Sequence, residues 1–177
     1  MNYVALLRGV NVGGNTKVPM TDLKKTFELL GFTDVRTVLN SGNVVFTAKE
    51  DEISLVAQQI EEKLEKTFGF SIRVMVRIKD EVKSLVDSDP FRKVIITPET
   101  RLYVTFFSKE PKMNLQIPYE SPEKNFSILQ VSNHEICSVL ILSSKRGTVD
   151  LMSFIGKNYG KNITTRNWNT VRKLSDL

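Results

Sequence analysis

Apolar and polar positions follow two different spacings along the first 77 residues. Runs of consecutive apolar residues are typical of buried strands, whereas apolar residues at every third or fourth position are typical of helices packed on a core. Glycines and turn-forming residues mark the boundaries between these segments. The pattern predicts a strand at residues 3–8, a helix from Pro19 to Gly31, strands at 35–39 and 44–47, a helix after Asp51 that ends at Gly69, and a strand at 71–76.

This βαββαβ order predicts a ferredoxin-like arrangement for residues 1–77. In that arrangement the four strands form one antiparallel sheet and both helices cover the same face. The first and third strands are central. The loops that follow them are therefore expected at the end of a well-supported sheet.

Residues 78–177 show a less regular pattern, which predicts a second, modified α/β plait with an extra C-terminal helix. Residues 108–125 contain three prolines and several charges, so they are predicted to form a long exposed loop. The other predicted elements are a helix at 79–88, a strand at 102–107, a hairpin of 126–131 and 135–142, a helix at 149–159 and a terminal helix at 167–174. The predicted fold is therefore α+β, with two ferredoxin-like subdomains at 1–77 and 78–177 and antiparallel sheets.

The net charge of +5 is concentrated near the C-terminus. Residues 1–144 hold 18 Lys and Arg and 18 Asp and Glu, whereas residues 145–177 hold seven cations and two acids. Localised positive charge favours phosphates, nucleotides or nucleic acid as partners. The alternative is a solvated helical face that serves solubility.

Cysteine content and hydropathy bear on location. The single cysteine, Cys137, excludes a disulfide within the chain and favours a reducing compartment. No apolar run approaches the length of a membrane span, and the N-terminus lacks the features of a secretory signal peptide. We therefore expect a cytoplasmic protein without a membrane partner. The sequence gives no indication of the oligomeric state.

The loop at residues 8–17 (RGVNVGGNTK) has the composition of an anion-binding loop, with three glycines, two cations and no acid. Glycines let backbone N–H groups approach a ligand closely, and Arg8 and Lys17 add positive potential. The Lys-Ser/Thr pair of a P-loop and the glycine pattern of a dinucleotide fingerprint are both missing, which argues against a Walker ATPase or a Rossmann enzyme. The structural alternative is a tight strand-to-helix connection with Gly13 and Gly14 at positive φ.

Three stretches of the chain resemble the domain of unknown function 1697 family of bacterial proteins. They are residues 3–14 (YVALLRGVNVGG), 41–46 (SGNVVF) and 165–171 (TRNWNTV). The segments between them agree in length and order, so the resemblance spans essentially the whole chain. It implies two ferredoxin-like α/β subdomains and no particular activity, cofactor or substrate.

The third of these stretches is a second candidate binding segment. Residues 164–165 are predicted to cap the last helix, with Arg166, Asn167 and Trp168 in its first turn. An arginine can hold a phosphate or carboxylate with two hydrogen bonds, an asparagine can bind a base edge, and a tryptophan can stack on a ring. In the structural alternative, the tryptophan anchors the helix on the core and the arginine pairs with a nearby acid.

Catalytic and metal-binding chemistry have little support in the sequence. The turn at residues 40–43 consists of turn-forming residues, Ser41 has no visible general base, and His134 is predicted at an exposed hairpin tip. One cysteine and one histidine cannot form the usual zinc site, and no acidic loop has calcium spacing. No metal, no cofactor and no catalytic residue is predicted, and whether the protein is an enzyme stays open.

These features predict an anion- or phosphate-binding module for a nucleotide or nucleic acid, at a surface where the first loop, the hairpin turn and the terminal segment meet. The predicted ligand-binding residues are Arg8, Asn11, Gly13, Gly14, Asn15, Lys17, Asn43, Arg166, Asn167 and Trp168. Two alternatives stay open: an enzyme acting on a small phosphorylated metabolite, and a protein-interaction module that binds an acidic partner through its basic end.

Overall fold

Helices and strands follow one another largely as the apolar pattern predicts. The computed structural model describes residues 1–14, 16–49, 52–108, 115–142, 148–160 and 162–177. In this part of the chain the elements are β1 (Asn2–Leu7), α1 (Met20–Glu28), β2 (Thr33–Val38), β3 (Asn43–Thr47), α2 (Ile53–Phe68), β4 (Val74–Ile78), α3 (Lys79–Ser88), β5 (Thr100–Phe107), β6 (Tyr119–Glu120), β7 (Phe126–Val131), β8 (Glu135–Ile141), α4 (Thr148–Tyr159), β9 (Ile163–Asn167) and α5 (Trp168–Ser175).

The first sheet has the strand order β2-β3-β1-β4, and its neighbouring strands are antiparallel. Tyr3 in β1 pairs with Phe46 in β3 on one side and with Ile78 in β4 on the other. β1 and β3 are therefore central, as the ferredoxin-like plan requires. Gly69 ends α2 in the left-handed conformation, with φ of 80°, as the sequence predicts. The predicted cap residue Asp51 lies outside the described residues.

Phe46, in β3, lies at the centre of the first core. Its ring centroid lies 5.6 Å from that of Tyr3, 5.2 Å from that of Phe27 and 4.6 Å from that of Phe32. Phe27 belongs to α1, and the fully buried Ile60 of α2 joins the same cluster. Both helices thus pack on one face of the sheet, where aromatic pairs add to the apolar area that is buried.

β1 is buried on both of its faces. Tyr3, Ala5 and Leu7 lie in the core beneath the helices, and Val4 and Leu6, which alternate with them, are also fully buried. A strand with two buried faces needs apolar residues at every position. For this reason the sequence shows an unbroken apolar run here and not an alternation.

The chain forms two compact units. The first contains Met1–Asp87 together with Arg172–Leu177, and the second contains Ser88–Val171. The boundary between residues 77 and 78 stays a prediction, because compactness alone does not show which segment folds by itself.

The second sheet has the strand order β6-β7-β8-β5-β9. Without the two-residue β6, this order repeats that of the first sheet, with β5, β7, β8 and β9 in the places of β1, β2, β3 and β4. α4 connects β8 to β9 as α2 connects β3 to β4. In the described part of the connection from β5 to β7, β6 is found where the first unit has α1. The fold is α+β with two antiparallel sheets and a C-terminal helix, which confirms the predicted fold class.

Part of the predicted loop at residues 108–125 is ordered structure. Tyr119 and Glu120 form β6 and pair with β7, and the turn after them buries Ser121 and Asn125. The Ser121 hydroxyl accepts the N–H groups of Asn125 and Phe126, each at 3.1 Å. This local side-chain capping of the turn leaves no apolar pattern in the sequence. Residues 109–114 lie outside the described part.

The predicted cap of the last helix is wrong. Residues 163–167 form the edge strand β9, which pairs with β5 so that Arg166 lies opposite Val104. Only Trp168 begins α5. The β-branched residues Ile163, Thr164 and Thr165 favour a strand, although the segment is too polar to show an apolar run.

Gly42 is a position where we expect a methyl group to be costly. Its φ is +68°, and an added Cβ would overlap Val10 Cγ2 and lie 2.8 Å from Leu7 Cβ. Gly9 has nearly the same φ, +69°, but open space around its Cβ position. Gly9→Ala should therefore cost only the conformational strain, about 1–2 kcal/mol, and Gly42→Ala about 1–3 kcal/mol more. Urea unfolding of the two variants measures this difference, and equal losses would contradict the packing of Gly42.

Cys137 should be unreactive in the folded protein. The residue is fully buried in β8, and burial raises the pKa of its thiol from 9.0 to about 12. A thiol-specific chromogenic reagent should label it slowly in buffer and rapidly in denaturing guanidinium chloride. The stabilisation from the raised pKa is complete below pH 9 and is lost as the pH rises towards 12. Equally fast labelling in both solvents would show that the thiol is accessible.

Candidate functional site

Asn11 fixes the conformation of the loop at residues 8–17. Its side-chain N–H groups donate to the backbone oxygens of Val18, at 3.0 Å, and of Asn40, at 2.9 Å, while its Oδ1 accepts the N–H of Val18 at 2.9 Å. Its backbone N–H also donates to the oxygen of Thr16. Asn11 has a φ of 57°, a conformation that asparagine tolerates better than most residues. These bonds give the amide a structural role.

The first loop and the hairpin turn lie side by side, whereas their meeting with the terminal segment stays a prediction. The N–H of Leu7, at the end of β1, donates to the oxygen of Gly42 at 2.8 Å. Asn43 is fully buried, and its side-chain amide donates to the backbone oxygen of Val38 at 2.9 Å and to the hydroxyl of Ser41 at 2.8 Å. Asn43 therefore stabilises the turn from the buried side. Its side-chain amide is not exposed to a ligand, so the predicted contact stays a prediction.

The outer part of the loop is open. Gly13 and Gly14 have φ values of 73° and 98°, and nothing lies within 4 Å of where a Cβ would stand. Both are exposed, and Val12 before them is 73% exposed. Within the described ranges their backbone N–H groups donate no hydrogen bond, so they are available to an acceptor.

Two exposed cations flank this open backbone. Arg8 and Lys17 are both exposed, and neither forms a salt bridge with any residue that the structure describes. The N–H of Arg8 donates to the oxygen of Arg73, whose guanidinium pairs with Glu61 at 2.9 Å. The loop therefore carries positive potential at both of its ends.

Asn15 of the predicted site lies outside the described residues, so its contact with a ligand stays a prediction. The first turn of α1 carries Asp22, whose negative charge offsets the positive end of the helix. The positive potential near the loop therefore comes from Arg8 and Lys17 and not from the start of α1.

Arg166 is a buried residue of β9. It is 8% exposed, and its guanidinium donates to Thr164 Oγ1 at 2.8 Å and to the oxygen of Thr165 at 2.9 Å. Burial lowers the pKa of Arg166 to about 10. Arg77 is the buried arginine of β4 and occupies the same place in the first unit. A binding role for Arg166 stays a prediction.

Asn167 and Trp168 organise the start of α5. Asn167 Oδ1 accepts the N–H of Asn169 at 2.9 Å, the usual contact of a residue that caps a helix. Trp168 is 7% exposed, and its ring packs edge-to-face on Phe91 with centroids 5.0 Å apart. The buried ring therefore packs on another aromatic residue of the second unit. Stacking on a ligand stays a prediction for it.

Other candidate chemistry is sparse among the described residues. No group of three or more His, Cys, Asp or Glu side chains in this part of the chain could hold a metal ion. His134 is exposed in the turn between β7 and β8, where its backbone N–H donates to Ser132 Oγ at 3.2 Å. No described helix is long and apolar enough to cross a bilayer.

The second unit contains a cavity of about 320 Å³ that the sequence does not predict. One side is formed by residues 119–126, and the other by Asp150, Ser153, Phe154 and Lys157 of α4. These four positions have the spacing of a single helical face. The useful signal in the sequence is an aromatic residue and a carboxylate on the face of α4 next to that of its buried Leu151 and Ile155.

Replacing Asn11 should loosen the loop. Asn11→Gly keeps the positive φ and removes the side-chain bonds, so we expect a loss of about 1–2 kcal/mol in the free energy of unfolding. Asn11→Ala should lose about 1 kcal/mol more, because alanine is strained at this φ. Chemical denaturation measures both values. A Gly variant as stable as the wild type would show that the amide does not hold the loop.

Comparison with known proteins agrees with this architecture. The solved structure of the conserved bacterial protein SP0830 from Streptococcus pneumoniae has a similar fold, with a TM-score of 0.68 and 19% sequence identity over 99% of this chain and 97% of that one. No curated protein matches. The family model described as "Protein of unknown function (DUF1697)" matches residues 1–136, which leaves the stretch at 165–171 outside the match. Because the match covers most of the chain, the protein belongs to the DUF1697 family.

Proposed function

We propose that the loop at residues 8–17 binds the phosphate groups of a nucleotide or nucleic acid. One observation carries the proposal: two exposed cations without described ion pairs flank an exposed glycine backbone whose N–H groups donate no hydrogen bond within the described ranges. Phosphate oxygens are strong acceptors, and they bind such open amides together with cations. The comparisons name no ligand for the family.

The fixed shape of the loop supports this proposal. A flexible glycine loop would lose conformational freedom on binding, which weakens affinity. Here Asn11 and Thr16 hold the base of the loop: the amide of Asn11 reaches Val18 and Asn40, and the Thr16 hydroxyl donates to the oxygen of Gly9 at 2.7 Å. The open amides of Gly13 and Gly14 therefore lie between residues that hydrogen bonds hold in place.

Arg166, Asn167 and Trp168 are not required by this proposal. Asn167 caps α5 and Trp168 packs on Phe91, and a ligand role for the three residues is a separate prediction. The cytoplasmic location also stays a prediction. It fits a phosphate ligand, and it rests on the cysteine content and the hydropathy of the sequence.

The proposal predicts a salt-dependent interaction. A labelled oligouridylate, titrated at about 50 mM and about 200 mM salt, should bind with an affinity that falls as salt rises. Arg8→Gln/Lys17→Gln should weaken binding. It should also reduce the steepness of the plot of log affinity against log salt concentration (the salt slope) by about 1.4, because each lost phosphate contact to a single strand reduces that slope by about 0.7. Fluorescence anisotropy measures both quantities.

A matched double variant controls for the change in net charge. Lys25→Gln/Lys66→Gln removes two exposed cations from α1 and α2, and it should leave the slope unchanged. Competition with ATP and with inorganic phosphate tells a nucleotide from a polymer ligand. Equal effects of the two double variants, or no binding of any phosphate probe, would refute the proposal. Turnover of a phosphorylated compound would instead favour the enzyme alternative.

A further inference from the structure

The cavity in the second unit combines an aromatic wall with a fixed carboxylate. Tyr119 and Phe154 stack with ring centroids 4.9 Å apart and an angle of 15° between the planes, and Phe126 lies 5.2 Å from Phe154. The rings come from β6, α4 and β7, so the sheet and the helix together set the width of the cavity. A wall of this kind favours a flat apolar group.

The carboxylate of Asp150 is held in place by a chain of hydrogen bonds. Asn125 donates its side-chain amide to Asp150 Oδ2 at 3.1 Å, and Asn125 Oδ1 accepts the Ser121 hydroxyl at 2.8 Å. Ser121 and Asn125 are 4% and 8% exposed, so this support is buried. No described residue donates to Asp150 Oδ1, which leaves that oxygen for a donor in the cavity.

Charge along the cavity indicates how a ligand would be oriented. Lys157 stands two helical turns beyond Asp150 on the same face of α4, about 10 Å along the helix axis. Glu123 also lines the cavity, so a positive group is attracted by the carboxylates of Asp150 and Glu123 and repelled from the end with Lys157. Aromatic rings next to a carboxylate also attract cations through their faces.

We propose that this cavity binds a small organic cation, an ammonium or amidinium group attached to a flat apolar body. The volume of about 320 Å³ suits such a compound, because it lies at the lower end of the range for small-molecule sites. The positive group bonds to Asp150, and the flat body packs against Tyr119 and Phe154. The residues of this site belong to the second unit, whereas the loop at residues 8–17 belongs to the first.

Three ring compounds of nearly equal shape test the proposal: benzamidine, neutral benzamide and anionic benzoate. In ¹H–¹⁵N correlation spectra, benzamidine should shift the amides of residues 119–126 and 150–157. It should bind at least about tenfold more tightly than either analogue, because only it makes a charge-assisted bond to the carboxylate. Equal binding of the three compounds, or no shifts at these residues, would overturn the proposal.

Variants locate the interaction. Asp150→Asn should weaken benzamidine binding about tenfold, whereas Lys157→Gln should leave it unchanged or strengthen it. Ser153→Arg places a cation in the cavity at an exposed position, so it should block binding without altering the Asn125–Asp150 bond, even if Asp150→Asn folds poorly. Undiminished binding by the Ser153 variant contradicts the site. Arg8→Gln/Lys17→Gln should bind benzamidine as the wild type does, which separates this test from that of the loop.

Discussion

Burial of β1 on both faces, between two hydrogen-bonded neighbours, is the constraint on which the candidate loop depends. The strand cannot shift its register by one residue without exchanging the two buried sets of side chains. Its last residues are fixed on both sides, since Leu7 donates to Gly42 and Arg8 donates to Arg73. The loop that follows therefore starts from a defined point and direction. Beyond the sheet, Val10 packs against Gly42. The hydrogen bonds of Asn11 to Val18 and Asn40 then hold the backbone of Asn11 in place as well.

The same strand order occurs twice in the chain, and its edge strands share an unusual feature. β4 pairs with β1 and β9 pairs with β5, and each of these edge strands carries a buried arginine, Arg77 opposite Val4 and Arg166 opposite Val104. Each arginine also donates to the oxygen of the residue before it. A buried guanidinium is costly unless it is hydrogen-bonded. Its recurrence at equivalent places is easier to explain as part of the architecture than as two separate ligand contacts.

Elements with an apolar period could be predicted from the sequence, and elements held by polar contacts could not. The βαββαβ order of the first unit follows from spacing and glycine signals alone. β6 and β9 were missed because two residues are too few to show a period, and because Thr164, Thr165 and Arg166 carry no apolar signal. The candidate site divides in the same way. Its glycines and cations are visible in the sequence, whereas the internal bonds of Asn11 and Asn43 depend on which backbone oxygens the fold brings within reach.

Residues of the first loop and the hairpin turn thus fall into two groups, which only geometry distinguishes. Asn43 is fully buried with bonded amide hydrogens, and Asn11 has both N–H groups engaged, so neither can turn towards a ligand without breaking contacts that hold the loop. Among the described residues, no hydrogen bond from the N–H groups of Gly13 and Gly14 and no ion pair of Arg8 or Lys17 has to break before a ligand binds. A ligand that needs only open amides and positive charge can therefore bind at no structural cost, whereas one that needs asparagine side chains would have to unfasten the loop. This difference favours a phosphate over a ligand recognised through amide side chains.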